Sequence, residues 1–141
     1  MNAKPKIMLI DDSKSDLMLM AGTIQSQLPG VEVTADDSLY SCFLRLTVEK
    51  PDVLVIDWCY KCDDSCRSIE LINEDEVVQK ILKFNHPVVI YTAHQKKYIH
   101  EKIVSKLGCM PDNFTVISKG SSRNLINFLQ ENIKEIYEPA M

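Results

Sequence analysis

The chain has 141 residues, the length of one domain and too short for two ordinary ones. At 45% hydrophobic and 26% charged, it has the composition of a packed globular core rather than of a disordered segment. A net charge of −4 argues against a general nucleic-acid backbone binder, which would carry a basic face.

Apolar runs are strand-sized, so none is long enough to span a bilayer. The first, Ile7-Met8-Leu9-Ile10, is cut short by two aspartates and is no signal peptide. A cytoplasmic protein is expected, with its five cysteines reduced. Lys6 to Ile10 reads as a strand that stops at Asp11. Residues 14–28 place Leu17, Met20, Ile24 and Leu28 on one helical face, with Ser13 set to cap the start and Pro29-Gly30 to end it. Val31-Glu32-Val33-Thr34 alternates as a half-exposed strand does. Residues 38–49 form a second helix with Leu39, Cys42, Phe43 and Leu46 inward, closed by Pro51.

Val53-Leu54-Val55-Ile56 is apolar on both faces and ends at Asp57, the pattern of a central parallel strand covered on both sides. Trp58 to about Ser65 is polar and cysteine-rich and reads as a loop. A helix is expected over about 66–84, with Ile69, Leu71, Ile72, Val77, Ile81 and Leu82 as core candidates. Pro87 to Thr92 is the fourth strand, 96–107 a helix ended by Gly108, and Phe114 to Ser118 the fifth strand. Ser121 or Ser122 caps a last helix carrying Leu125, Phe128, Leu129, Ile133 and Ile136.

Five strands and five helices in strict alternation predict an α/β fold: a doubly wound five-stranded parallel sheet flanked by five helices. Only one helix follows Lys119, so a single domain over 1–141 is expected, with no output domain. Such a sheet carries its site at the carboxyl ends of the strands. The ends here are Asp11 and Asp12, then Asp57, then Thr92-Ala93, then Ser118-Lys119. Three carboxylates in one pocket repel each other, and a hard divalent cation resolves the repulsion. Mg²⁺ suits them, because it takes oxygen ligands and keeps positions for phosphate and water. Asp57 is then placed to act as a nucleophile towards phosphorus. Thr92 and Lys119 supply a hydrogen-bond donor and a positive charge for phosphoryl oxygens.

The segments LIDDS, VLVIDW, VIYTA and VISKG resemble the receiver domain of bacterial response regulators, the CheY-like modules of two-component signalling. The resemblance runs over nearly the whole chain and implies the flavodoxin-like receiver fold. It implies that Asp57 is the phosphoacceptor and that Asp11 and Asp12 hold Mg²⁺ together with Asp57 and the backbone carbonyl of Cys59. Thr92 would be the switch hydroxyl and Lys119 the active-site lysine. The implied donor is a sensor histidine kinase or a phosphotransfer protein, and the signal would pass to a downstream protein. Neither direct nucleic-acid binding nor a membrane is implied, and no enzyme activity beyond Mg²⁺-assisted self-phosphorylation and slow autodephosphorylation. The chain departs from the family's pattern in three places. The loop WCYKCDDSCRS lacks the Met-Pro and later Gly that receivers carry after the acceptor. Gly120 stands where a proline follows the lysine, and Val116 stands where a switch aromatic is found.

Cys59, Cys62 and Cys66 form C-x2-C-x3-C beside Asp57, a possible thiol cluster that could chelate a metal or form a disulfide. Zinc needs a fourth ligand, and spacing does not show whether Cys42, Cys109 or a histidine reaches. Reduced, metal-free loop thiols are therefore the simpler expectation. His94 could line the pocket, but it is expected, with His86 and His100, to be solvated or partly exposed; Trp58 is expected to be a packing residue, Asp63-Asp64 a solvated turn and Lys96-Lys97 an exposed helix start. Two other readings compete with phosphorylation-dependent signalling. One is a non-phosphorylated pseudo-receiver acting as an interaction module, redox- or metal-tuned by the cysteines. The other is a phosphatase-type hydrolase, disfavoured because Cys59 stands where such enzymes place a second acid.

Overall fold

The computed structural model of the chain describes residues 4–61, 68–120 and 122–137. Its main sheet contains β1 (Lys6–Ile10), β2 (Glu32–Asp36), β3 (Val53–Ile56), β6 (Val88–Thr92) and β7 (Phe114–Ser118). The strands are all parallel, in the order β2-β1-β3-β6-β7. Around them run α1 (Lys14–Gln27), α2 (Leu39–Glu49), α3 (Asp75–Leu82), α4 (Lys96–Leu107) and α5 (Ser122–Tyr137).

Alternation along the strands builds two core layers, since successive side chains leave opposite faces of a sheet. Met8, Ile10, Leu54, Ile56, Val88 and Ile90 pack with residues of α2, α3 and α4 on one side. Ile7, Leu9, Val53, Val55 and Val89 pack with residues of α1 and α5 on the other. Every residue of β1 after Lys6, and all of β3 and β6, is buried, which is why these strands read as continuous apolar runs. The edge strands β2 and β7 are half-exposed.

Local signals set the boundaries. Ser13 caps α1 by accepting from the Asp16 amide, and Ser38 caps α2 by accepting from the Ser41 amide. Gly108 ends α4 at φ 86°, in the left-handed region that a side chain disfavours. Asp36 at the end of β2 is buried. It receives the Arg45 guanidinium at 2.9 Å and the Ser38 amide at 2.9 Å.

The strict alternation expected from the sequence is broken after β3. Instead of a loop there is a strand, β4 (Cys59–Lys61), paired antiparallel with β5 (Ser68–Glu70). The helix expected over about 66–84 is accordingly shorter. A 3₁₀ turn over Leu71–Asn73 leads into α3, which covers Asp75–Leu82 alone. Trp58 and Tyr60 are buried on one side of β4, and burying two large aromatics favours a pleated segment over a free loop. Leu71, Ile72, Val77 and Ile81 are buried as expected, and so is Val78. Leu82 is not a core residue, being 42% exposed. The candidate cap Ser121 and the side chain of Ile136 lie outside the described residues. Among those residues, no helix is long and apolar enough to cross a membrane.

Candidate functional site

β1 and β3 lie side by side at the centre of the sheet, and the chain leaves them in opposite directions, to β2 and to β6. A crevice therefore opens at their carboxyl ends. Asp11 and Asp12 follow β1 and Asp57 follows β3. Carboxylate oxygens from all three lie within 4.8 Å of one another, the one cluster of this kind among the described residues. Asp11 is 2% exposed, and one of its oxygens accepts from the Ser13 amide at 2.9 Å.

Lys119, just beyond β7, reaches across. Its Nζ stands 2.9 Å from Asp11 Oδ2 and 3.3 Å from Asp57 Oδ2. Lys119 thus offsets part of the charge on Asp11 and Asp57. Burial raises the Asp57 pKa above that of an ordinary aspartate, and Asp11 adds to the rise; Lys119 and the Trp58 amide oppose it without cancelling it. Burial also works against the charge on Lys119, but its contacts with Asp11 and Asp57 outweigh that and raise its pKa.

Thr92 ends β6 and is fully buried, and its Oγ1 accepts from the His94 amide at 3.0 Å. The Thr92 carbonyl accepts from the Lys119 amide at 2.7 Å, so the ends of β6 and β7 are tied together. The fold thus gathers at one edge every residue expected from strand ends: Asp11, Asp12, Asp57, Thr92 and Lys119. At the two departures from the family's pattern in this region, Val116 is half-buried on β7, and the Gly120 amide donates to Ser118 Oγ at 3.2 Å.

The acidic trio fits a magnesium ion. Ligand oxygens on one Mg²⁺ lie about 3 to 4 Å apart, inside the 4.8 Å that bounds the three carboxylate oxygens here. The family resemblance implies the Cys59 carbonyl as a fourth oxygen. The Leu71 amide donates to the Trp58 carbonyl at 2.7 Å, which makes the next pair, Cys59–Glu70, a non-hydrogen-bonded one. The hairpin ladder therefore does not use the Cys59 carbonyl.

Several residues of the site carry no signal that sequence reasoning picked out. Tyr60 is buried, and its hydroxyl accepts from the Asp57 amide at 2.9 Å. Glu70 on β5 accepts from Trp58 Nε1 and from the Tyr98 hydroxyl at 2.6 Å, which joins the hairpin to α4. Partial burial works against its charge, but those two donors outweigh it and hold the Glu70 pKa below that of an ordinary glutamate. His94 is exposed, as expected, yet its Nε2 lies 3.3 Å from Cys59 Sγ. Burial pushes the Cys59 thiol pKa up, and Glu70, Asp57 and Asp12 push it further. Trp58 is fully buried and His86, His100, Lys96 and Lys97 are exposed, as expected. Cys62, Asp63, Asp64 and Cys66 lie outside the described residues. Of the other candidate partners for a thiol cluster, Cys42 is buried in the core and Cys109 is exposed.

No family model and no curated protein matches the chain. Solved structures do match. A Francisella response regulator receiver domain superposes with a TM-score of 0.68 at 21% identity, covering 94% of this chain and 98% of that one. Vibrio cholerae chemotaxis protein CheY4 gives a TM-score of 0.68 at 16% identity, over 92% of this chain and 99% of that one. A CheY-like receiver domain from Methanospirillum hungatei gives 0.66 at 16% identity, over 96% and 98%. At these identities the likeness is one of fold, and it spans both chains almost end to end: the protein has the fold of a response-regulator receiver domain.

Proposed function

We propose that the chain is a phosphorylation-dependent signalling module that accepts a phosphoryl group on Asp57. The observation that carries this reading is the trio Asp11, Asp12 and Asp57, with Lys119 bridging two of them, at the switch point of a receiver fold. Mg²⁺, held by the three carboxylates and the Cys59 carbonyl, would neutralise charge and draw in a phosphate-bearing donor. Oδ1 of Asp57 accepts from the Trp58 amide at 2.8 Å, which fixes the carboxylate plane. An Asp57 oxygen attacks the phosphorus, the bond from phosphorus to the donor breaks, and an acyl phosphate forms while the donor leaves with the electron pair. Lys119 pairs with a phosphoryl oxygen, and the Thr92 hydroxyl gives up the His94 amide to donate to another. Attack of water on phosphorus later returns inorganic phosphate and the free carboxylate.

The donor in this reading is the phosphohistidine of a sensor kinase or phosphotransfer protein. The effect passes to a downstream protein in the cytoplasm, with no catalytic turnover of other substrates. The test is intact mass after incubation with acetyl phosphate and Mg²⁺. The native chain is expected to gain one phosphoryl group, and Asp57→Asn and a chelated control to gain none. Equal labelling of Asp57→Asn would end the proposal.

A further inference from the structure

We infer that Cys59 and His94 form the sulfur–nitrogen half of a second cation site, one that takes a thiophilic divalent ion such as Zn²⁺. The two residues come from different elements, β4 and the segment between β6 and α4. Their ligand atoms, Sγ and Nε2, lie 3.3 Å apart. Zinc bonds of about 2.3 Å to sulfur and about 2.0 Å to nitrogen, at a tetrahedral angle, place the two donors about 3.5 Å apart. The pair therefore needs to open by only a few tenths of an ångström to admit the ion.

Three further observations favour a cation there. The His94 ring is already oriented, stacked on Tyr98 with centroids 5.7 Å apart and planes at 29°. A ligating histidine held by its surroundings binds more tightly than a free one. Among the described residues, the Glu70 carboxylate, which is outside the acidic trio, faces Cys59. Both residues are reachable from solvent, since His94 is exposed and Cys59 only half-buried.

The site is chemically distinct from the acidic trio. Oxygen donors select a hard ion such as Mg²⁺, whereas a thiolate and an imidazole select a softer one. On binding, the Cys59 thiol gives its proton to solvent and its sulfur bonds the ion; Nε2 of His94 donates its lone pair. The remaining coordination positions fall to water, since among the described residues no third histidine, cysteine or carboxylate joins the pair. The expectation of metal-free thiols rested on a missing fourth ligand for Cys59, Cys62 and Cys66; the pair here is a different donor set, of Cys59 with His94. The functional consequence is a link. A cation on both residues joins the hairpin to the segment directly after Thr92, and so restrains it.

The test uses Zn²⁺ and Co²⁺ as probes on the full chain, prepared with the Asp57→Asn change so that phosphorylation plays no part. This keeps the outcome separate from that of the phosphoacceptor proposal. Native mass spectrometry is expected to show one bound Zn²⁺, and the Co²⁺ form a sulfur-to-cobalt charge-transfer band. Cys59→Ser should abolish the band, and Cys59→Ser and His94→Gln should each weaken zinc binding at least about tenfold. Far-UV circular dichroism establishes that both variants are folded. No zinc bound at micromolar concentration overturns the inference. So does zinc retained undiminished by either folded variant, because the ion would then sit on other thiols.

Discussion

Asp57 carries the opposing influences of the site on a single carboxyl. Burial lifts its pKa and Lys119 is the main opposing force, so the balance between them is testable. In Mg²⁺-free buffer, carbon-13 NMR titration should show Asp57 ionising above the ordinary aspartate range. Lys119→Met removes the charge that stabilises the carboxylate, and the titration should move further up. A downward move would mean that Lys119 does not face Asp57 in solution. Tyr60 makes a smaller contribution. The Asp57 amide has two acceptors, the Tyr60 hydroxyl at 2.9 Å and the Ile10 carbonyl at 3.1 Å. Tyr60→Phe therefore leaves that donor satisfied, and urea unfolding should show a loss of about 1 kcal/mol. A loss above about 3 kcal/mol would show that Ile10 does not take over. The five strand-end residues were legible because each stands where an apolar run stops. Tyr60 was not, since its role depends on a backbone that doubles back, and nothing in its own identity says so.

At the scale of elements, the β4–β5 hairpin is the feature that sequence reasoning misread. Trp58-Cys59-Tyr60-Lys61 alternates apolar and polar, and so does Ser68-Ile69-Glu70-Leu71. Both are strand patterns, but each is short, and the polar, cysteine-rich stretch between them gives the whole the composition of a loop. Glu70 locks this hairpin to α4 through Trp58 and Tyr98. Its pKa is lowered in the folded chain, so the stabilisation it gives is complete above the value of a free glutamate. That stabilisation fades as pH falls through the lower folded value. Trp58, the chain's single tryptophan, reports the contact directly. Its fluorescence should hold steady at neutral pH and shift in acid below the ordinary glutamate range. Glu70→Gln should remove that shift, and an identical acid shift in the variant would assign it to another carboxylate.

For the whole molecule, the question that the proposed function raises is how far a phosphoryl group on Asp57 would be felt. The sheet itself is a poor candidate for movement, because β1, β3 and β6 are packed on both faces and interiors of that density do not deform gradually. The pattern that made those strands easy to read in the sequence is the same burial that keeps them still. What can move is held by polar contacts. The Thr92 hydroxyl takes the His94 amide, His94 meets Cys59, and Tyr98 meets Glu70, so the start of α4 and the hairpin share one set of contacts. If the Thr92 hydroxyl turns towards a phosphoryl oxygen, it releases the His94 amide, and the change should reach β4 and β5 through those pairs. Val116 on β7 is too small to fill the space the hydroxyl leaves, so the far side of the molecule should take little part. Amide hydrogen exchange with and without beryllofluoride, a mimic of the acyl phosphate, reads this directly. Protection should change at residues 92–100 and, with them, at 58–61 and 68–73, and Thr92→Ala should suppress both changes. Changes confined to 92–100 would cut the hairpin out of the switch. Unchanged exchange in both regions, with beryllofluoride bound at Asp57, would mean that partners read the phosphoryl group itself, because a ligand shifts only those equilibria whose two states it binds unequally.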